Sequence, residues 1–373
     1  MKFVDLNAQF KHIETEIRQS IDQVLTHGQF IMGPEVQQLE RELSEFCGVK
    51  HTISAASGTD ALLMALMAYG IGPGDAVFAP PFTFVATAEV IQLLGATTVF
   101  VDVQADTFNI DPEALERAVV RVKSEGKLNA KGIIPVDLFG LPADYDEIER
   151  IAGEHELFVL EDTAQGFGGV YKGKRAGSFG QIAATSFFPA KPLGCYGDGG
   201  ALFTDDDELA EILESIRFHG KGKHQYDNVR TGITGRLDTL QAGILSCKLA
   251  VFEQELEARQ TVANRYTDAL GTYVTTPVVP EGYRSAWAQY TIRSEHRDRI
   301  QQALQAQGIP CAIYYVCPLH LQPAFKDADG AGVAMPVSEQ LSREVLSLPM
   351  HPYLESDDQQ RVIDTIIALF ENS

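Results

Sequence analysis

The sequence predicts an α/β protein with a large domain, residues 1–248, built on a mostly parallel central sheet, and a smaller C-terminal α/β domain, residues 249–373. Three observations predict it. The chain has 373 residues, more than one small core accommodates. From residue 51 onward, short apolar runs alternate with stretches of helical periodicity, the pattern of parallel strands covered by helices on both faces. Near residue 245 that texture gives way to one long charged segment of helical spacing.

The elements follow in order. Phe10, Ile13, Ile17, Ile21 and Val24 recur at helical spacing, and Val36, Leu39, Leu43 and Phe46 do so again after Gly33-Pro34. Strands are expected at residues 52–54, 76–79, 98–101, 133–136, 157–160, 182–187 and 201–204. Helices are expected between them at 59–69, 87–94, 113–124, 144–155 and 208–217. Residues 249–270 read as one charged helix with Phe252, Leu256, Val262 and Tyr266 on its apolar side. Beyond it the pattern predicts strands at 288–292 and 310–315 and helices at 297–307 and 357–370.

Composition excludes several classes of function. The net charge is −21, with 51 acidic against 30 basic residues, which opposes binding to nucleic acid or an anionic membrane. Five scattered cysteines form no C-x-x-C pair, so disulfides and a zinc site are not expected and a reducing cytoplasm is the simplest compartment. The N-terminus lacks the apolar core of a signal peptide, and no run approaches the length of a membrane span. Gly168-x4-Gly173-Lys174 imitates a P-loop, but Arg175 stands where a magnesium-binding hydroxyl belongs. The histidines show no H-E-x-x-H spacing, and no G-x-S-x-G elbow is present.

Four motifs fall at strand ends. Ser186-Phe-Phe-Pro-Ala-Lys191-Pro-Leu-Gly194 holds a lysine in a Pro/Gly-rich loop, and a lysine partly withdrawn from water becomes a nucleophile toward carbonyls. Ser57-Gly58-Thr59-Asp60 opens a helix, where backbone N–H groups and hydroxyls make either a phosphate site or an ordinary N-cap. Pro81-Phe82-Thr83-Phe84 offers an aromatic either to a planar ligand or to the core. Glu161-Asp162-Thr163-Ala164-Gln165 puts acids at the mouth of the sheet, where a carboxylate can keep a ring nitrogen protonated. Together these are the parts that pyridoxal phosphate (PLP) needs. Separately, residues 217–236 gather Arg217, Lys221, Lys223, Arg230 and Arg236 against one acid, Asp227, in a glycine-rich stretch suited to a diphosphate or a carboxylate.

On these motifs the chain resembles the DegT/DnrJ/EryC1/StrS sugar aminotransferases, which are fold-type I PLP-dependent transferases. The resemblance runs almost end to end. It is carried by Gly28–Val36, Ser57–Leu62, Pro81–Thr87, Glu161–Gln165, Ser186–Ala201, Arg236–Ala242 and Pro318-Leu-His320, the lysine block being the most specific. It looks closest to the branch that aminates UDP-2-acetamido-2-deoxy-3-oxo-glucuronate for cell-surface polysaccharides. The resemblance implies that Lys191 is the Schiff-base lysine, that Asp162 pairs with the pyridine nitrogen and that Gln165 reaches the ring hydroxyl. It further implies that Phe84 stacks on the ring and that Gly58, Thr59 and Ser186 bind the phosphate. It also implies a cytoplasmic homodimer with shared active sites, L-glutamate as donor, a nucleotide-linked keto-sugar as acceptor, and a cofactor cycling through pyridoxamine 5'-phosphate. The partner would supply the segment Thr231–Arg236, where Thr234 replaces the usual asparagine. Arg236, Tyr314, Tyr315 and His320 would lie near the sugar. Three alternatives remain open. One is a dTDP-linked keto-6-deoxyhexose as acceptor. Another is a sugar dehydratase, which would carry histidine in place of Lys191. The third is a non-catalytic regulator on the same scaffold.

Overall fold

The computed structural model describes residues 1–224, 226–330 and 332–371. The chain opens with α1 (Leu6–His12), α2 (Glu14–His27) and α3 (Pro34–Cys47). The Asp5 carboxylate caps α1 by accepting from the N–H groups of Asn7 and Ala8. Pro34 begins α3, where its missing N–H costs nothing. Val36, Leu39 and Leu43 of α3 are fully buried, as their spacing requires.

The chain then alternates as the sequence predicts. The strands are β1 (His51–Ala55), β2 (Asp75–Ala79), β3 (Thr97–Phe100), β4 (Asn129–Ile133), β5 (Phe158–Asp162), β6 (Val170–Tyr171), β7 (Lys174–Arg175), β8 (Ile182–Ser186) and β9 (Gly200–Thr204). The helices among them are α4 (Gly58–Ala68), α5 (Ala86–Leu93), α6 (Pro112–Glu125), α7 (Tyr145–His155) and α8 (Asp207–Arg217). Seven of these strands form the main sheet in the order β1-β9-β8-β5-β4-β2-β3. Only β9 runs against the rest, pairing antiparallel with both β1 and β8. No helix joins β8 to β9, and a connection without a crossover leaves the antiparallel arrangement. One apolar layer packs α4, α5 and α8 on the sheet; another packs α6 and α7 on the opposite face. The strand expected at 133–136 begins earlier, at Asn129, because exposed Asn129 and Lys131 break its apolar signature.

The second half departs further from expectation. The long helix α9 (Thr239–Leu270) is one unbroken element of 32 residues, so it begins well before residue 249. The division expected between 248 and 249 therefore falls inside a helix. Leu245, Phe252 and Leu256 join the core that backs the main sheet, whereas Val262, Ala263, Tyr266 and Leu270 join a second core. That second core includes residues of α10 (Arg297–Ala306), α12 (Ser356–Glu371) and a two-stranded sheet of β11 (Tyr290–Arg293) and β12 (Val345–Leu348); a short β10 (Tyr283–Arg284) pairs with β6 instead. The strand expected at 310–315 does not form. Pro310 has no N–H to give a ladder, and only Ala312 makes a bridge, to Ser347. Tyr314 and Tyr315 instead pack against an apolar cluster that contains Phe82 and Phe139. The partner of β11 is β12, which the sequence reading did not anticipate.

The second half also reaches back to the main sheet. Phe100 donates to the Asp329 carbonyl and Asp329 donates to Thr98, which closes the exposed edge of β3. Asp102 caps α11 (Pro336–Glu344) by accepting from the N–H groups of Val337 and Ser338. Among the described residues no helix is long and apolar enough to cross a membrane.

Candidate active site

The carboxyl ends of β5 and β8 lie side by side, because Asp162 pairs with Ala184 in parallel register. Asp162 is the last residue of β5 and is buried. Its Oδ2 accepts from the Thr87 hydroxyl at 2.8 Å and its Oδ1 from the Ala164 N–H at 3.2 Å. Thr87 is itself paired with the Thr83 hydroxyl at 3.1 Å. Burial raises the Asp162 pKa, and Thr87, the Ala164 N–H and the charge of Lys191 oppose that rise.

Lys191 lies in the loop that leaves β8, and its N–H donates to the Phe188 carbonyl at 2.8 Å. Desolvation lowers the pKa of its ammonium, and Asp162 is the opposing charge. The two groups are thus close enough to feel each other, although they are 29 positions apart in the chain. The lysine and acid expected to act together are brought together.

The α4 N-terminus sits against the end of β8. A Cβ added to Gly58 would lie 2.6 Å from the Ser186 Cβ, so only glycine permits this approach. Ser57 caps the helix through the Asp60 N–H at 3.0 Å and its carbonyl takes the Ala61 N–H. The N–H groups of Gly58 and Thr59, at the first two helical positions, have no acceptor inside α4 and remain for an anion. The Ser57–Thr59 turn is therefore both an N-cap and a cradle. Phe84 is 53% exposed, while Phe82 is fully buried against Phe139 and Tyr315.

Gln165 is already engaged. Its Oε1 accepts from the Phe139 N–H at 2.9 Å and its Nε2 donates to the Tyr315 hydroxyl at 3.1 Å, which leaves one amide hydrogen. Tyr315 thereby joins the second half of the chain to the site. Tyr314 packs edge-on to Tyr315 and to Phe3, one step farther out. His320 lies apart from this cluster. Its buried ring is edge-on to Phe100 and 3.5 Å from Glu339, because the Leu319 N–H is fastened to the Pro81 carbonyl beyond β2, toward the β3 edge.

Of the basic stretch, Lys221, Lys223 and Arg230 are exposed, whereas Arg217 is buried and paired with Glu40 at 2.5 Å. Gly235 accepts from the Ala56 N–H at 3.1 Å, beside the cradle. The Arg236 guanidinium lies 4.6 Å from the Phe218 ring, and its buried Nε has no hydrogen-bond partner among the described residues. The Thr234 hydroxyl is bonded to the His219 ring at 2.7 Å. Among the described residues, no hydrogen bond or ion pair links Thr234 or Arg236 to Lys191, Asp162 or Ser186 within the one chain.

Sequence reasoning missed two groups here. Thr83 lies before α5 and Thr87 within it, and only the fold shows that Thr87 reaches Asp162 while Thr83 backs Thr87. Behind the site, Glu161 and Asp137 are fully buried, and burial raises the pKa of both. Each acid is one of the causes that shift the other. The Tyr145 hydroxyl and the Ala143 N–H bond the other side of Asp137 at 2.7 and 3.0 Å.

Residues 11–367 match the DegT/DnrJ/EryC1/StrS aminotransferase family. The chain is 47% identical, over 95% of its length and 96% of the relative's, to a UDP-2-acetamido-2-deoxy-3-oxo-D-glucuronate aminotransferase of Pseudomonas aeruginosa. A crystal structure of a DegT/DnrJ/EryC1/StrS aminotransferase from Brucella abortus superposes with a TM-score of 0.98 at 55% identity, covering 99% of both chains. The crystal structure of NtdA from Bacillus subtilis, with PMP as bound cofactor, superposes at 0.89 with 28% identity, covering 99% of this chain and 83% of that one. The chain belongs to the DegT/DnrJ/EryC1/StrS aminotransferase family.

Proposed function

We propose that this family member is a PLP-dependent aminotransferase. It moves an amino group from L-glutamate to the keto group of UDP-2-acetamido-2-deoxy-3-oxo-glucuronate, in a ping-pong cycle and as a homodimer. The acceptor is taken from the Pseudomonas aeruginosa relative, with which nearly the whole chain aligns. The single observation that carries the reading is the meeting of Lys191 and Asp162 at adjacent strand ends beside a helix start with free N–H groups.

The residues fit the cofactor. The N–H groups of Gly58 and Thr59 and the Ser186 hydroxyl would hold its phosphate, and exposed Phe84 would cover one ring face and exclude water. Asp162, oriented by Thr87 and the Ala164 N–H, would hold the proton on the ring nitrogen. When bound, the cofactor supplies an electron sink for a carbanion on the carbon that bears the nitrogen. The Lys191 amine, whose basicity desolvation lowers, would take the proton from the glutamate α-carbon and later return one to the sugar carbon. The remaining Gln165 amide hydrogen is available to the ring hydroxyl. Arg236, contributed across the dimer, would bind the diphosphate or the uronate carboxylate through its guanidinium.

The test is a visible spectrum of the purified protein with PLP, before and after L-glutamate, followed by candidate keto-sugar nucleotides and mass analysis of the product. The expected result is a yellow band that glutamate bleaches and the UDP-linked 3-oxo-uronate restores. Restoration by a dTDP-linked keto-6-deoxyhexose alone would replace the acceptor. A protein that takes up no PLP would overturn the reading, and one that binds PLP without turnover would favour a regulator. Light scattering at micromolar concentration is expected to give twice the mass of the chain.

A further inference from the structure

Lys248 is a buried cation that the chemistry above does not use. It lies on α9 and is fully enclosed, which lysine rarely tolerates without a dedicated partner. Its Nζ donates to the Gly194 carbonyl at 2.5 Å and sits 4.0 Å from the centre of the Tyr196 ring. Burial lowers its pKa to about 8, with Glu255 and Cys195 opposing, so it remains mostly an ammonium at neutral pH.

The carbonyl it holds belongs to the loop that presents Lys191. Gly194 is three residues beyond Lys191, and a Cβ there would lie 2.6 Å from the carbonyl oxygens of Phe188 and Pro189. The loop is thus folded tightly on itself. The Cys195 N–H closes it onto the Phe187 carbonyl at 2.8 Å. One side of α9 holds the far end twice. Gln241, two turns before Lys248 on the same face, accepts from the Tyr196 N–H at 2.8 Å, and Lys248 takes Gly194. The same helix continues into the second apolar core.

We infer that Lys248 is a positioning residue for Lys191: its ammonium fixes the Gly194 carbonyl and with it the loop that aims the Lys191 amine, tying that amine to the helix shared by both cores. The inference deepens the aminotransferase reading and rests on it. A lysine that only filled space would be replaced by an apolar side chain of similar length at little cost. A lysine that aims Lys191 would not, because a small displacement of a reacting group costs up to about a hundredfold in rate.

The test compares Lys248→Met with Lys248→Gln, which is shorter but keeps an N–H donor and preserves the test if the Met variant fails to fold. Three quantities are read: kcat and KM for the glutamate half-reaction, the pH midpoint of the visible band of the PLP-loaded protein, and the labelling rate of Lys191 in the apoprotein by trinitrobenzenesulfonate, followed by peptide mapping. Lys248→Met is expected to lower kcat by roughly 10–100-fold with KM little changed. It is also expected to move the spectral midpoint and to change Lys191 labelling by more than about threefold, with Lys248→Gln intermediate. A folded Met variant that matches the wild type within twofold in all three would overturn the inference. So would a Gln variant no better than Met. Wild-type protein that takes up no PLP would instead sink the aminotransferase reading, and the apoprotein labelling would still judge whether Lys248 governs Lys191.

Discussion

Glu161 and Asp162 are neighbours on β5, carry the same chemical group and are both buried, yet the two sides of the strand give them different work. Side chains alternate across a strand, so consecutive residues face opposite layers. Glu161 spends both oxygens on backbone N–H groups, those of Gly177 at 2.7 Å and Phe179 at 2.9 Å. Asp162 has a hydroxyl and one N–H as partners and faces the charge of Lys191. A closed set of partners makes an acid architectural. An acid left facing a hydroxyl and a cation is available for chemistry.

The largest effect expected is on the Lys191 side of this comparison. Lys191→Ala is expected to reduce transamination below detection while the protein still unfolds cooperatively; undiminished turnover would remove the lysine from the mechanism. Asp162→Asn is expected to lower the rate of the glutamate half-reaction by roughly 10²–10³-fold with the urea midpoint nearly unchanged. A rate within twofold would mean that the ring nitrogen has another partner.

Glu161→Gln should do the opposite, leaving kcat near wild type and costing about 1–3 kcal/mol in urea unfolding, because one of two buried backbone N–H groups loses its acceptor. The pH dependence sharpens this. The folded pKa of Glu161 is raised, so folding takes up a proton. Its stabilising contribution is complete below the unfolded value near 4.5 and is lost as pH rises toward the folded value. The difference in stability between wild type and Glu161→Gln should therefore shrink as pH rises above that point. A constant difference across this range would show that Glu161 does not titrate on unfolding.

Thr87→Val removes a hydroxyl but not volume. It is expected to slow the half-reaction about tenfold and to move the acid limb of its pH profile upward, because Thr87 opposes the rise of the Asp162 pKa and the ionised form is the active one. Thr87→Ser should restore most of both. A profile that stays in place would show that Thr87 does not act through Asp162. The smallest effect is expected at Thr234. Its hydroxyl is already bonded to His219, so Thr234→Ala should weaken PLP binding by less than about threefold in an equilibrium titration. A tenfold loss would make it a direct phosphate contact.

Most of the main sheet was legible because its strands are short, apolar and separated by strongly periodic helices. The candidate site was legible as far as position goes: Lys191, Asp162 and Gly58 belong to motifs that lie at or near strand ends. Legibility failed where a local pattern was ambiguous or a partner distant. Residues 310–315 carry strand-forming types, yet they turn toward Phe82 and Phe139, and β12 takes their place. The ring of His320, expected near the sugar, packs beside Phe100 in this chain. Lys248 falls just before the helix expected at 249–270, and nothing local marks it until the Gly194 carbonyl is found against it.

The sequence by itself therefore determined the alternation of strands and helices, the lysine loop, the acid at the strand end and the glycine-opened helix, because each depends on a few adjacent residues and on backbone preference. Tertiary structure alone decided which acid is closed and which is open, which threonine orients Asp162, where one core hands over to the other along α9, and what a buried lysine holds. Those properties depend on desolvation and on partners tens to hundreds of positions away, and no local pattern encodes them.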